Sequence, residues 1–331
     1  MNQSLWQLNP ALSIEFNQRN RQIQIGLMSP NCYEITEQSD QLMGIINFLL
    51  EKKAVEKDEI LEEIKRLFDA EPEDVFQDLQ TLKLIHPAVD LDSRYARHEL
   101  YYVFSGAPAN TQSLLARKSV LLIGVGGIGS TCAMLLAAAG IGELVLADKD
   151  CLELSNLTRT TLFELSDLGK PKVESALKRL ALRNPDVKVK AFPNVLCEET
   201  FNAFEELVQV TDMMILSGDS GPEVHKLAYE LSKKYSKPLL NAGYVEHCGV
   251  VGPLTVGYNP IRERELCENL SESMQVNQGY KAASFGPLNS LVSSIAVNEV
   301  IRYFAGQEVQ TLNKRLVIDS CNYSQTWEPF S

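Results

Sequence analysis

Residues 122–150, LIGVGGIGSTCAMLLAAAGIGELVLADKD, carry the densest chemical signal in the chain. Gly124, Gly126, Gly127 and Gly129 form a turn whose backbone N–H groups approach phosphate oxygens. The helix starting near Gly129 presents its positive end to the same point. Asp148 ends the next apolar run, where a carboxylate accepts hydrogen bonds from ribose hydroxyls, and Asp150 follows two residues on. This set predicts a nucleotide site. A glycine turn followed by an aspartate suits NAD and ATP equally, and a tight turn with no ligand is the bland alternative.

The discriminating residues lie downstream, in DKDCLELSNLTRTTLFELSDLGKPKVESALKRL. Asn156, Arg159 and Lys172 follow the second strand, on the ligand-binding edge expected of such a sheet. Lys172 falls in the first turn of its helix, where the macrodipole disfavours a cation unless a polyanion lies opposite. Two cations and an amide suit a triphosphate better than a pyrophosphate. Asp219, in ILSGDSG, ends another apolar strand on that edge. A carboxylate facing phosphates needs a cation between them, and Mg²⁺ is the usual one. The competing readings are solvated surface charges for Arg159 and Lys172 and a helix cap for Asp219.

The elements that must position these residues form an α/β pattern. SVLLIGV and ELVLAD are apolar runs of the kind buried parallel strands show, and VKVKAFP, DMMILSG and KPLLNAGYV are further strands. KPKVESALKRLALRN and PEVHKLAYELSKKY read as helices with Pro171 and Pro222 at first-turn positions. A long final helix is opened by Pro287 and closed by Gly306. The expected fold class is α/β, a Rossmann-like, mostly parallel sheet flanked by helices. Residues 1–90 form a separate small α+β domain, winged-helix-like, with strands in LSIEF and RQIQIGL and three helices. The first helix places Leu42, Ile45, Ile46, Leu49 and Leu50 on one face. Residues 91–118 read as a connector, and 259–284 as a mobile loop, within a nucleotide-binding domain of residues 119–331.

Composition sets bounds on partners. The chain has 331 residues and a formal net charge of −12, which argues against a nucleic-acid partner. No run of eighteen apolar residues occurs and MNQSLWQLNP is not a signal peptide, so a cytoplasmic protein without a membrane partner is expected. The seven cysteines include no C-x-x-C pair. Among them, Cys248 and Cys267 are candidate nucleophiles, with a buried or inert thiol the stronger reading for both. His247 neighbours Cys248, but strand neighbours point to opposite faces, and no histidine shows metal spacing.

The segments GVGGIGS, LADKDCLELSNLTRTTLFELSDLGKPKVESA and SGDS together resemble the ThiF/MoeB superfamily of ATP-dependent adenylating enzymes. The resemblance runs from about Arg94 to Asp319. It implies that the glycine loop and Asp148 bind ATP, that Asn156, Arg159 and Lys172 hold its phosphates, and that Asp219 binds Mg²⁺. RYAR, 94–97, resembles the family's arginine-finger segment, so Arg97 is expected to reach a phosphate of the partner protomer in a homodimer. The additional residues 1–90 resemble PqqD-like modules that hold the leader of a ribosomally made precursor peptide. NAGYVEHCGVVGPLTV and ASFGPLNSLVSSIAVNEVIRY are similar to the branch of the family that modifies such peptides.

The resemblance implies adenylation of a peptide carboxylate, a glutamate side chain in the favoured reading, then attack by a nucleophile of the same peptide with loss of water. Adenylation of a peptide or sulfur-carrier protein C-terminus is the alternative. An NAD-dependent dehydrogenase and a silent binding module are the outside classes. The family's two C-x-x-C pairs are missing, with only Cys267 and Cys321 in their regions, so no zinc is expected.

Overall fold

Short alternations of apolar and polar residues near the N-terminus become strands: β1 (Trp6–Leu8), β2 (Ile14–Asn17), β3 (Gln22–Ile25) and β4 (Tyr33–Ile35). The structure, a computed structural model, describes residues 5–28, 30–218, 222–257 and 282–329. The chain divides into two units, Met1–Ala109 and Asn110–Ser331. In the first, β2, β3 and β4 form an antiparallel sheet that turns Ile23 and Ile25 into the core. Helices α1 (Ser39–Lys52), α2 (Lys57–Leu67) and α3 (Pro72–Thr81) close over that core. α3 opens on Pro72 with Glu73 and Asp74 in its first turn, which complements the helix dipole.

On α1, Leu42, Ile45, Ile46 and Leu49 are buried, whereas Leu50 is 59% exposed. At about 100° per residue Leu50 lies roughly 90° from the centre of that stripe, so the expected five-residue face narrows to four. β5 (Ile85–Pro87) pairs with β1. The stretch read as a connector instead holds α4 (Ala96–Ser105), ended by Gly106 at φ 70°, and α5 (Thr111–Leu115). Ala96, Leu100 and Tyr102 are buried at spacings of four and two, too few apolar positions to signal a helix by periodicity.

The second unit is built on an eight-stranded sheet. β6 (Ser119–Ile123), α6 (Gly127–Ala139), β7 (Glu143–Ala147), α7 (Lys172–Arg183) and β8 (Lys188–Phe192) form one wing. α8 (Phe201–Val210), β9 (Met213–Leu216), α9 (Pro222–Tyr235) and β10 (Pro238–Val245) form the other. β11 (Cys248–Val256), α10 (Gly286–Phe304), β12 (Lys314–Asp319) and β13 (Gln325–Pro329) complete the described elements. The strand order is β13-β12-β11-β10-β9-β6-β7-β8. Five strands, β10-β9-β6-β7-β8, run parallel, and β11, β12 and β13 extend the sheet antiparallel.

β6, β7 and β9 read as unbroken apolar runs because helices cover both faces. Phe204 and Val208 of α8 and Leu227 and Leu231 of α9 pack on Leu121, Ile123, Val145 and Leu216. α6 and α10 pack against each other, joined by the Ser293 hydroxyl donating to the Ile128 carbonyl at 2.9 Å. The chain runs from β6 outward through β7 and β8, then returns to place β9 on the other side of β6. Such a reversal opens a crevice at the carboxyl ends of the strands. No described helix is long and apolar enough to cross a membrane.

Candidate active site

The segments leaving β6, β7 and β9 meet at that reversal and line a cleft of about 220 Å³. Of the residues singled out from sequence, it brings together Gly124, Gly126, Gly127, Asp148, Asp150, Arg159 and Lys172. Gly124 has φ +93°, and a Cβ there would stand 2.5 Å from the Gly218 amide nitrogen, so the loops after β6 and β9 touch backbone to backbone. Gly129 does not line the cleft. A Cβ on it would stand 1.9 Å from the Gly124 carbonyl oxygen, so its role is to let the loop fold onto the helix. Gly126 caps α6 and nothing lies within 4 Å of where its Cβ would be. Gly126, Gly127 and Ile128 line the cleft at the start of α6, so the positive end of that helix borders the cleft, which fits a phosphate ligand.

Three charged side chains of the wall, Asp148, Asp150 and Lys172, are linked to one another. The Val125 N–H donates to Asp148 Oδ2 at 2.7 Å and the Asp150 N–H to Asp148 Oδ1 at 2.9 Å. Both Asp148 oxygens are thereby occupied in holding the loop, a task its spacing from the glycines does not reveal. Lys172, with a side chain 10% exposed, donates to Asp150 Oδ2 at 2.8 Å and stands 3.7 Å from Asp148 Oδ2. The negative charge expected opposite this helix-start lysine is therefore supplied within the chain by two aspartates. Any phosphate competes with Asp150 for the ammonium.

Arg159 is held by its own turn, Nη1 donating to the Ser155 carbonyl at 2.8 Å. Asn156 is buried and not in the cleft wall; its Oδ1 accepts the Glu153 N–H at 3.2 Å and braces the 3-10 turn, Leu154–Thr158, that precedes Arg159. Arg97 is exposed in the first turn of α4, in the other unit. Asp219, Cys267 and all but the last three residues of the 259–284 loop lie outside the described residues.

The cleft also holds residues that the sequence reading passed over: Lys149, Asn194, Ser217, Tyr244 and Ser284. Asn194 and Ser217 each lie just past the carboxyl end of a strand, and that position was the available signal. Ser217 donates to the Gly124 carbonyl at 2.9 Å and ties the two loops. Asn289, buried at the start of α10, donates to Ser284 Oγ at 3.1 Å and backs Gly127. Of the two candidate nucleophiles, Cys248 has its pKa raised by partial burial and then by the Asp319 and Glu246 carboxylates and the Cys321 thiol.

A glycine loop at a helix start, a sheet reversal and a lysine–aspartate wall are the arrangement that nucleotide-binding α/β domains share. Residues 95–331 match the ThiF family, and the chain belongs to it. A relative from Escherichia coli (strain K12), the sulfur carrier protein ThiS adenylyltransferase, is 29% identical over 228 residues, 68% of this chain and 87% of that protein. The structure of E. coli MccB with ATP superposes with a TM-score of 0.79 at 24% identity, covering 99% of this chain and 97% of that one. MccB has also been solved with AMPCPP and MccA. PaaA superposes with a TM-score of 0.73 at 22% identity, covering 96% of this chain and 98% of that one. At these identities the solved structures establish a shared fold.

Proposed function

We propose that this protein adenylates a carboxylate of a ribosomally made precursor peptide, with ATP and Mg²⁺ as co-substrates, in peptide antibiotic biosynthesis. The observation that carries the reading is the cleft, in which the start of α6 at Gly126–Gly127 lies with Lys172 and Arg159 in one lining. A carboxylate oxygen of the peptide forms a bond to the α-phosphorus as the bond to pyrophosphate breaks, leaving an acyl-adenylate. A nucleophile of the same peptide then attacks the acyl carbon, AMP leaves, and the peptide has lost one water. A glutamate side chain is the favoured acid.

In this reading Arg159, Lys172 and the α6 N-terminus neutralise phosphate charge. Lys172 already sits between two carboxylates, so it is pre-positioned on the wall rather than recruited. The Mg²⁺ ligand is Asp219 by family resemblance. Arg97 acts on the partner protomer of a homodimer. The N-terminal unit holds the leader: β2 and β4 each pair on one side only, so either edge can accept an added peptide strand.

A second reading, adenylation of a peptide or sulfur-carrier protein C-terminus, has its own support in the 29% identity to the ThiS adenylyltransferase. Mass spectrometry of peptides encoded beside the gene, each incubated with the protein and MgATP, separates the two. ATP-dependent loss of water that vanishes in Lys172→Ala and Arg159→Ala supports the first. Pyrophosphate exchange with a Gly-Gly-ended carrier protein, with every peptide unchanged, replaces it with the second.

A further inference from the structure

The sheet's antiparallel extension brings together a side-chain cluster that belongs to no part of the cleft. β10 and β11 are joined through Glu246 and His247, with Glu246 at φ 53°, and β12 and β13 through residues 320–324. Because β11 pairs with β12 so that Cys248 faces Asp319, the two turns lie side by side. A ring nitrogen of His247, a carboxylate oxygen of Asp319 and Sγ of Cys321 all lie within 4.8 Å of one another. His247 Nε2 stands 3.8 Å from Asp319 Oδ1, too far for a hydrogen bond.

The backbone beneath these three groups is pinned. Ser320 donates to the His247 carbonyl from both its N–H (3.2 Å) and its hydroxyl (2.7 Å), locking one turn to the other. The Cys321 N–H donates to Asp319 Oδ1 at 2.7 Å, and Asn322 Nδ2 to Asp319 Oδ2 at 3.1 Å. The Tyr323 N–H closes the second turn on the Asp319 carbonyl at 2.8 Å. Asp319 is thus oriented by its neighbours, as a ligating carboxylate usually is. The His247 side chain, 52% exposed, and the exposed Cys321 thiol stay open to solvent.

We infer that His247, Asp319 and Cys321 form a binding site for a borderline-soft divalent transition metal, Zn²⁺ foremost. One imidazole nitrogen, one carboxylate oxygen and one thiolate sulfur match that class of ion, not Mg²⁺ or Ca²⁺. Tetrahedral ligand atoms at Zn²⁺ bond lengths stand about 3.3–3.8 Å apart, so side-chain shifts of about 1 Å close the set on an ion. Three protein ligands leave a fourth position for water or a substrate group. The site differs from the cysteine-pair zinc whose absence the sequence predicts: one cysteine suffices when the fold adds a histidine and a carboxylate from another turn.

The test is titration of the untagged full-length protein, stripped with a chelator and kept reduced, with Co²⁺ alone and Zn²⁺ alone. One equivalent of Co²⁺ is expected to bind with a thiolate-to-metal absorption band, and Zn²⁺ to displace it. Cys321→Ser removes the band. His247→Ala weakens binding at least about tenfold, while the turn persists because only the His247 backbone carbonyl takes part in the Ser320 bonds. Far-UV circular dichroism confirms that both variants fold. Absence of saturable binding overturns the site, as does a band that survives Cys321→Ser or is lost in Cys267→Ser or Cys151→Ser.

Discussion

An aspartate, a lysine and a serine meet at each end of β6, with opposite results. At the amino end Asp212 accepts from the Ser119 N–H and hydroxyl, both at 2.9 Å, and from Lys118 at 3.3 Å. Burial by itself raises the Asp212 pKa; the Ser119 bonds and Lys118 outweigh it and hold the carboxyl below its ordinary value. That cluster satisfies itself and fastens β6 to the loop before β9. At the carboxyl end Asp148 fixes the glycine loop, Lys172 leans on Asp150 and Asp148, and Ser217 ties two loops, all around a cavity. A helix N-terminus also points there, favouring an anion. The same residue types are structural where their bonds close on one another and available for chemistry where a cavity and a dipole leave room for a ligand.

The largest expected effect sets the two lysines against each other. Lys172→Ala is expected to slow acyl-adenylate formation by about 10²–10³-fold, or roughly 3–4 kcal/mol, as for loss of one charge-stabilising donor. Lys118→Ala is expected to leave the rate within about twofold. ATP–pyrophosphate exchange measures both, and an equal loss in Lys118→Ala breaks the distinction between the ends. Next comes Gly124→Ala, which strains a backbone at φ +93° and drives a methyl against Gly218. A loss of about 2–3 kcal/mol is expected, read as a lower denaturant midpoint. An unchanged midpoint would mean the two loops do not need their close approach.

The smallest effect belongs to the amino end. Asp212→Asn is expected to cost about 1 kcal/mol at neutral pH, the scale of one lost hydrogen bond at a partly exposed site. The sign of its pH dependence follows from the lowered pKa. The carboxylate's contribution is complete above the ordinary aspartate value near 4 and is lost as pH falls from there through the folded value. The difference in Tm between Asp212→Asn and the natural protein should therefore hold above about pH 5 and shrink as pH falls through about 4 and below. A gap that widens on acidification contradicts the assignment.

Much of this geometry was legible before any fold was known. The apolar runs at 119–125, 143–148 and 212–218 announced buried parallel strands, and seven of the eleven singled-out residues gather in one cleft. Asn156 and Gly129 are adjacent to it in sequence but act one step behind, bracing a turn and admitting a helix. The helix over Ala96–Ser105 was not legible, because its burial rests on three positions without a clear period. From sequence, Lys172 at a helix start implies a facing anion; the aspartates that face it lie 22 and 24 positions earlier in the chain.

By itself the sequence determined the local elements, the glycine turn and the family, because hydrophobic period, turn residues and motif spacing act over a few neighbours. Tertiary structure alone decided strand order, and with it which strand ends share the cleft and which carboxylate faces Lys172. It alone also set His247 beside Asp319 and Cys321, more than seventy positions away, since only the β11–β12 register brings those turns together. Pairing between distant strands depends on how whole faces bury against the helices, and no local window of residues encodes that choice.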